Sequence, residues 1–315
     1  MGEAFDVITM GRSGVDIYPE QIGASLVDVT SFVKALGGSA TNVAVASARY
    51  GWRTALISRT GADPFGQYVH KALSEFRVDD RWVTPVRAYP TPVTFCEIFP
   101  PDNFPIYFYR QPKAPDLEIF PEELDLDAIA SAAVFWTTGT GLSREPSRSA
   151  TLAALEARDR RSITVHDLDF RPVFWPSPDA ATEWQREALS HASVAVGNLD
   201  EVEVAVGTRD PEAAADALLD LGVSLAIVKQ GPAGVLGRTR GASVVVPPVE
   251  VEVVNGLGAG DAFGGALCHG LLSGWELERT LRFANAAGAL VASRLLCSAA
   301  MPYEADVEKL LEESR

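Results

Sequence analysis

The amino-acid sequence predicts an α/β fold of three layers, in which helices cover both faces of a mostly parallel central sheet and a small β lid is added. Short apolar runs alternate with stretches of helical period along most of the 315 residues. Several of these runs end in polar residues, as strands do at the ligand-binding edge of a parallel sheet. Residues 83–113 lack a helical period and alternate apolar residues with polar residues and prolines. We interpret that stretch as an antiparallel strand pair able to cover a cleft.

The composition argues against several classes of protein. The net charge of -15 disfavours a general nucleic-acid surface, which needs a basic stripe. No apolar run is long enough to span a bilayer and the N-terminus lacks the features of a signal peptide, so we expect a cytoplasmic protein without a membrane partner. The three cysteines and four histidines show no metal-binding spacing. An acidic chain that binds anions must gather its cations locally.

The first predicted strand covers residues 5–10 and ends at a glycine-flanked Arg12. Arg12 is the first candidate cation for an anionic ligand. Asp16 follows shortly afterwards, where a ligand contact and a turn or capping role are equally open.

A second glycine-rich segment covers residues 37–48 and begins a helix. Two adjacent glycines, Gly37 and Gly38, together with Asn42 favour a substrate-binding turn over a plain helix start.

The predicted strand pair at 83–113 turns at Pro100-Pro101-Asp102-Asn103. It closes with Arg110 and Lys113, two cations within four residues. A solvated charge pair is the simpler interpretation, but this acidic chain has few other places to bind an anion.

Strands and helices alternate again from about residue 121, with strands predicted at 133–139, 162–169, 192–198 and 225–231 and helices at 145–161 and 275–294. The ends of parallel strands share one edge of a sheet, so polar residues that follow them can converge. The residues with this placement are Asp16, Asp169, Arg171, Asn198, Glu201, Lys229 and Asp261.

The segment Asn255-Gly256-Leu257-Gly258-Ala259-Gly260-Asp261 precedes an apolar helical run. Glycines permit a sharp turn, and the free N–H groups and dipole of a helix start attract anions. Asp261 stands at the edge of this anion hole. A hydroxyl beside that carboxylate and a phosphoryl group in the hole would make a phosphotransferase site.

Two of these motifs resemble the signatures of the ribokinase-like (PfkB) carbohydrate kinases, and Asn198-Leu199-Asp200-Glu201 between them resembles a third element of that family. The two motifs are Gly37-Gly38 with Asn42, near the start of the chain, and Gly258-Ala259-Gly260-Asp261, near its end. The resemblance implies a single ribokinase-like domain over residues 1–315, with a lid formed by about 12–36 and 83–113. It also implies ATP, Mg²⁺ and, in many members, K⁺ as ligands, and a homodimer or higher homo-oligomer.

Residue roles follow from the resemblance. Asp261 is implied as the general base, and Gly258, Ala259 and Gly260 as the anion hole for the transferring phosphoryl group. The acceptor contacts would be Asp16, Gly38 and Asn42. The nucleotide side would include Asn198, Lys229, Gly231 and Asn285, with Asn198 and Glu201 organising Mg²⁺ through waters.

The chain departs from the family pattern at one place. Many members have Asp-Thr ahead of the anion hole, where this sequence has Asn255-Gly256. Those positions often help to form the monovalent-cation site.

Further segments, at 11–21, 95–102, 107–110 and 113–117, resemble the members that phosphorylate 5-dehydro-2-deoxygluconate in myo-inositol catabolism. The implied reaction is ATP-dependent phosphorylation of the terminal primary hydroxyl of a keto-deoxy sugar acid. Arginine binds a carboxylate bidentately, so arginines are the better candidates for its recognition. The candidates are Arg12, Arg110 and Arg171, beside Lys113, and we favour Arg110 first and Arg171 next.

Other functions remain open from the sequence. Kinases of 2-keto-3-deoxygluconate or fructose share the fold and mechanism. A non-catalytic, ligand-binding pseudokinase is disfavoured because Asp261, Asn198 and Glu201 are all present. A dinucleotide-dependent oxidoreductase would need G-x-G-x-x-G after the first strand, which is absent, as is the Walker A pattern of P-loop kinases.

Overall fold

The computed structural model describes residues 4–160 and 162–314. Within them the strands are β1 (Val7–Met10), β2 (Gly14–Pro19), β3 (Phe32–Gly37), β4 (Thr54–Gly61), β5 (Val78–Val86), β6 (Val93–Cys96), β7 (Ile106–Tyr109), β8 (Val134–Thr138), β9 (Ile163–Asp167), β10 (Val194–Asn198), β11 (Leu225–Lys229), β12 (Val235–Arg238) and β13 (Ser243–Val246). The α-helices are α1 (Ser39–Arg49), α2 (Pro64–Glu75), α3 (Leu126–Ser131), α4 (Ser147–Arg158), α5 (Pro178–His191), α6 (Leu199–Val206), α7 (Pro211–Asp220), α8 (Ala259–Leu272), α9 (Leu277–Ala292) and α10 (Glu304–Glu313).

The large sheet has nine strands in the order β13-β12-β11-β10-β9-β8-β1-β4-β5. Neighbours from β11 to β5 are parallel, whereas β12 and β13 are antiparallel additions at one edge. This arrangement confirms the predicted α/β class with a mostly parallel sheet.

Helices cover both faces of this sheet because successive strand residues point to opposite sides. Val7 of β1 packs in a buried cluster with residues of α8 and α9, whereas the next residue, Ile8, packs with residues of α4 and α5. Ala226 of β11 packs against α7 in a further cluster. The three predicted layers are therefore present.

The parallel register brings the carboxyl ends of three adjacent strands together. Asn198 at the end of β10 is paired with Lys229 at the end of β11, and Val196 is paired with Asp167 at the end of β9. These polar residues lie at one edge of the sheet, as the sequence predicted for strand ends.

A separate four-stranded sheet has the order β3-β2-β6-β7. Strands β6 and β7 form the predicted antiparallel pair, closed by a bridge between Phe99 and Asn103. The predicted starting point of that segment was wrong, because residues 83–86 continue β5 and pair with β4 in the large sheet. The assignment of the small sheet as a lid stays a prediction.

Two predicted helices are shorter than expected. The prediction at 145–161 corresponds to α4, which ends at Arg158 before a left-handed Asp159, and the prediction at 275–294 corresponds to α9. Residue 161 and the N-terminal residues 1–3 lie outside the described residues. Within the described ranges, every helix is too short or too polar to cross a membrane.

Candidate active site

Two cavities meet at the first turn of α8. The first is bordered by the small sheet, the start of α1, and Gly258 and Asp261. The second is bordered by Ala259 and Gly260 of the same turn. One turn of backbone therefore separates two compartments.

The start of α8 presents uncapped N–H groups between these cavities. Its first backbone hydrogen bond runs from Ala262 N to Gly258 O at 2.9 Å, and no side chain of the described residues caps the helix. Gly258 has a φ of 80°, in the left-handed region that favours glycine, and a Cβ there would collide with Cys297. Since α8 has 14 residues, its dipole adds to the attraction for an anion.

Asp261 lies on the side of the first cavity. Its Oδ2 accepts a hydrogen bond of 2.7 Å from Asn42 Nδ2. Burial raises the pKa of Asp261 to about 6, against the lowering effect of the Asn42 amide. A carboxylate with this pKa is ionised at neutral pH yet accepts a proton more readily than an exposed aspartate does.

A buried acid, Asp169, which the sequence placed among the converging strand ends without giving it a role, organises the cations of the first cavity. Asp169 accepts hydrogen bonds from Arg12 Nη2 at 3.0 Å, Arg171 Nε at 3.0 Å, Ser39 Oγ at 2.9 Å and Thr140 Oγ1 at 2.8 Å. Burial alone would raise the pKa of Asp169, but the charges of Arg12 and Arg171 outweigh it and lower that pKa. The sequence feature that could have indicated this role is the position of Asp169 at a predicted strand end, two residues before Arg171.

The structure separates the four cations that the sequence proposed for an anionic substrate. Arg12 and Arg171 line the first cavity. Arg110, the first choice, lies outside that lining and forms a buried ion pair of 2.7 Å with Asp116. Lys113 pairs with Glu118. The preference for Arg110 therefore has no support from its position.

Asp16, Gly38 and Asn42 also line the first cavity. Asp16 lies within β2 and accepts a hydrogen bond of 3.1 Å from the Tyr18 hydroxyl. Burial raises the pKa of Asp16 to about 6, and the Tyr18 hydrogen bond opposes the rise. Gly38 has a φ of 106°, and a Cβ there would collide with the backbone carbonyl of Arg12. The glycine lets the chain pass close to Arg12.

Lys229, Gly231 and Asn285 border the second cavity, so the structure brings together three residues predicted for the nucleotide side. Much of the remaining lining is apolar, including several valines and Phe263, which suits the flat face of an aromatic base. Asn285 donates a hydrogen bond of 2.8 Å to the Pro247 carbonyl.

Asn198 and Glu201 occupy the start of α6, where they cap each other. Asn198 Oδ1 accepts from Glu201 N at 3.0 Å, and Glu201 Oε2 accepts from Asn198 N at 2.7 Å. This capping box gives both residues a structural role. Neither residue is part of the lining of the two cavities.

Acidic groups nevertheless concentrate at this strand edge. Burial raises the pKa of Asp167 to about 7, an effect that Lys229 opposes and Glu201 reinforces. Burial alone would lower the pKa of Lys229, but the charges of Asp167 and Glu201 outweigh it and raise that pKa. Within residues 4–160 and 162–314, no group of three or more His, Cys, Asp or Glu side chains forms a ready-made metal site.

A helix start with uncapped N–H groups between two cavities, with a buried carboxylate facing one of them, is an arrangement that suits a phosphotransferase. The comparison of protein families agrees, because residues 5–304 match the model of the pfkB family carbohydrate kinases. The chain belongs to this family and is a carbohydrate kinase.

Individual relatives and solved structures extend the comparison. A 5-dehydro-2-deoxygluconokinase from Photobacterium profundum is 35% identical over 305 residues, covering 94% of this chain and 92% of that protein. A fructokinase double mutant from Vibrio cholerae, solved with fructose, ADP and a potassium ion, superimposes with a TM-score of 0.85 at 25% identity, covering 99% of this chain and 100% of that chain. An E. coli protein solved with ATP and Mg²⁺ gives a TM-score of 0.88 at 23% identity, covering 98% and 99%, and shows the shared ribokinase-like fold.

Proposed function

We propose that this chain transfers the γ-phosphoryl group of ATP to the terminal primary hydroxyl of 5-dehydro-2-deoxy-D-gluconate. The family supports the phosphoryl transfer, and the name of the Photobacterium profundum relative suggests the acceptor. The observation that carries the choice of a sugar acid is the pair of arginines, Arg12 and Arg171, held by one aspartate in the cavity beside Asp261.

The charge of that cluster suits a single carboxylate. Two guanidinium groups around the Asp169 carboxylate leave one net positive charge. Arg12 Nε is buried and has no hydrogen-bond partner within the described ranges, and the Arg171 side chain is 38% exposed. Both arginines therefore retain donors for an incoming carboxylate, which would complete the local charge balance.

Asp261 acts in this proposal as the general base for the acceptor hydroxyl. The Asn42 amide holds its carboxylate in position, and the raised pKa makes proton acceptance favourable as the hydroxyl attacks. The uncapped N–H groups of Ala259 and Gly260 stabilise the charge of the transferring group, and Gly258 permits the turn that exposes them.

The second cavity binds ATP in this proposal, with Lys229, Gly231 and Asn285 among its contacts. Bound Mg²⁺ would neutralise charge on the phosphates. The residues present fit such an ion, because Asp167 at the end of β9 and Glu201 in the first turn of α6, which follows the neighbouring β10, bring two carboxylates to one strand edge. Burial raises the pKa of Asp167 to about 7, and a bound cation would favour its ionised form. Asp167 and Glu201 are thus the carboxylates that would hold it, directly or through water.

The role of the small sheet as a lid, the assembly into homo-oligomers, the cytoplasmic location and the place in myo-inositol catabolism belong to the same proposal. They rest on the family resemblance of the sequence.

The proposal is tested by measuring ADP release with three acceptors: 5-dehydro-2-deoxygluconate, 2-keto-3-deoxygluconate and fructose. We expect the highest kcat/KM with the first. We expect Asp261→Asn to lower kcat by about 10²- to 10⁴-fold while sugar-acid binding, measured by calorimetry, persists. A preference for neutral fructose would refute the sugar-acid assignment, and near-normal turnover of Asp261→Asn would refute the role of the base.

A further inference from the structure

The turn that precedes the anion hole is tied to the chain after α9 by a buried asparagine. The Asn255 side chain is fully buried. Its Nδ2 donates a hydrogen bond of 2.7 Å to the Leu295 carbonyl, and its Oδ1 accepts one of 3.0 Å from Leu257 N. The backbone N–H groups of Val254 and Asn255 both donate to the Ala292 carbonyl, at 2.9 and 3.0 Å.

A buried thiol supplies another tie at the same place. Cys297 Sγ donates a hydrogen bond of 3.1 Å to the Leu257 carbonyl. Burial raises the pKa of the Cys297 thiol well above its usual range, so the group keeps its proton. The carbonyl oxygens of Leu257, Ala292 and Leu295 therefore each accept a hydrogen from a neighbouring protein group.

These contacts do not fit a monovalent cation. A potassium ion needs several oxygen atoms whose lone pairs face a common point, as carbonyl and carboxylate groups provide. Here the Asn255 amide directs an N–H donor at the Leu295 carbonyl, and the positive end of that donor would repel a cation placed between the two groups. Phe104 and Leu295 pack around the turn with other apolar side chains, and a Cβ at Gly256 would crowd the Phe104 ring.

We propose that Asn255 replaces a monovalent cation in this protein and that its kinase activity is independent of K⁺. The neutral amide performs the two tasks of a carboxylate with a bound cation: it satisfies the facing carbonyl and fixes the turn that exposes the Ala259 and Gly260 amides. The inference rests on the kinase activity that the family shows and does not depend on which sugar is phosphorylated.

The reverse substitution gives the sharpest test. Asn255→Asp keeps the shape of the side chain, but a carboxylate cannot donate to Leu295, so two oxygens face each other in a buried turn. A potassium ion between them would restore the attraction. We therefore expect Asn255→Asp to melt at a lower temperature than the natural protein in tetramethylammonium chloride and to recover part of that loss in potassium chloride.

The natural protein, Asn255→Asp and the control Gln67→Glu are compared in both salts at equal ionic strength. Gln67 is exposed on α2, outside the small sheet and both cavities, so its substitution also replaces an amide with a carboxylate but leaves the buried turn intact. Melting temperature and ADP release are measured with fructose and with the sugar acid as alternative acceptors. For the natural protein and for Gln67→Glu, we expect the same melting temperature and rate in potassium chloride as in tetramethylammonium chloride.

Two outcomes would overturn the inference. The first is a rate or melting temperature of the natural protein that rises clearly in potassium chloride, a result that does not require the variant to fold. The second is an Asn255→Asp protein whose stability and rate equal those of the natural protein in both salts. If the protein phosphorylates fructose but not the sugar acid, the proposed substrate is refuted. The comparison of the two salts can still be made with fructose as the acceptor.

Discussion

Removal of Arg171 tests most directly whether the acceptor carboxylate binds in the first cavity, as we propose, or beside Arg110, the residue favoured first from sequence. In Arg171→Gln, Asp169 keeps its hydrogen bonds to Arg12, Ser39 and Thr140, so the cluster retains its other partners. The cluster of Arg12, Arg171 and Asp169, however, loses its one net positive charge and the donors of the more exposed guanidinium.

The size of the expected rise in KM follows from how exposed the Arg171 side chain is. A hydrogen bond to a charged group contributes about 1.5–3 kcal/mol, and the 38% exposure of the Arg171 side chain places the effect near the lower end. A loss of about 1.5–2 kcal/mol corresponds to a rise in KM of about 10- to 30-fold. We expect this rise for the sugar acid and little change for fructose, because fructose lacks the carboxylate.

Arg110→Gln is the matched control. It removes the same charge but leaves Asp116 buried without its cation, which typically costs about 3–5 kcal/mol of folding stability. The assay combines urea denaturation with steady-state ADP release for both acceptors. The reasoning fails if Arg171→Gln raises KM equally for acid and neutral sugar, or if Arg110→Gln has the larger effect on KM for the acid.

Two further predictions concern the acid groups and the glycine turn. Because the pKa of Asp261 is raised to about 6, kcat/KM should fall as the pH drops through about 6, and Asn42→Leu should move this limb to higher pH by removing a donor that lowers the pKa. In the natural protein the Asp16 carboxyl has a similar pKa, so Asp16→Asn is the control. We expect the fall of kcat/KM at low pH to persist in Asp16→Asn, and its disappearance there would assign the fall to Asp16 instead. In urea denaturation we expect Gly38→Ala to lower the free energy of unfolding clearly more than Gly51→Ala does. Both glycines have a positive φ, but only at Gly38 does a Cβ meet another atom within 4 Å. Equal losses would contradict the role of that close approach.

The strands show which parts of the fold can be predicted from local sequence patterns. Alternating apolar runs identified the parallel sheet, because burial on two faces leaves a sequence signature in each strand. The start of the predicted strand pair was wrong because residues 83–86 lack that signature while pairing with β4. Edge strands contact the core less completely, so their sequence carries less information about the sheet to which they belong.

The sequence by itself determined the features that depend on local backbone: the glycine turn at 258–260, where we propose an anion hole, the Gly37-Gly38 turn and the family to which they point. Only the tertiary structure decided which cations line the first cavity and which contacts hold the turn before α8. Arg12 meets Asp169 across 157 residues of chain, and Asn255 meets Leu295 across 40. A glycine turn is specified by the dihedral angles of its own residues, whereas the partner of a charge or an amide is whichever group the packed sheet edge places opposite it.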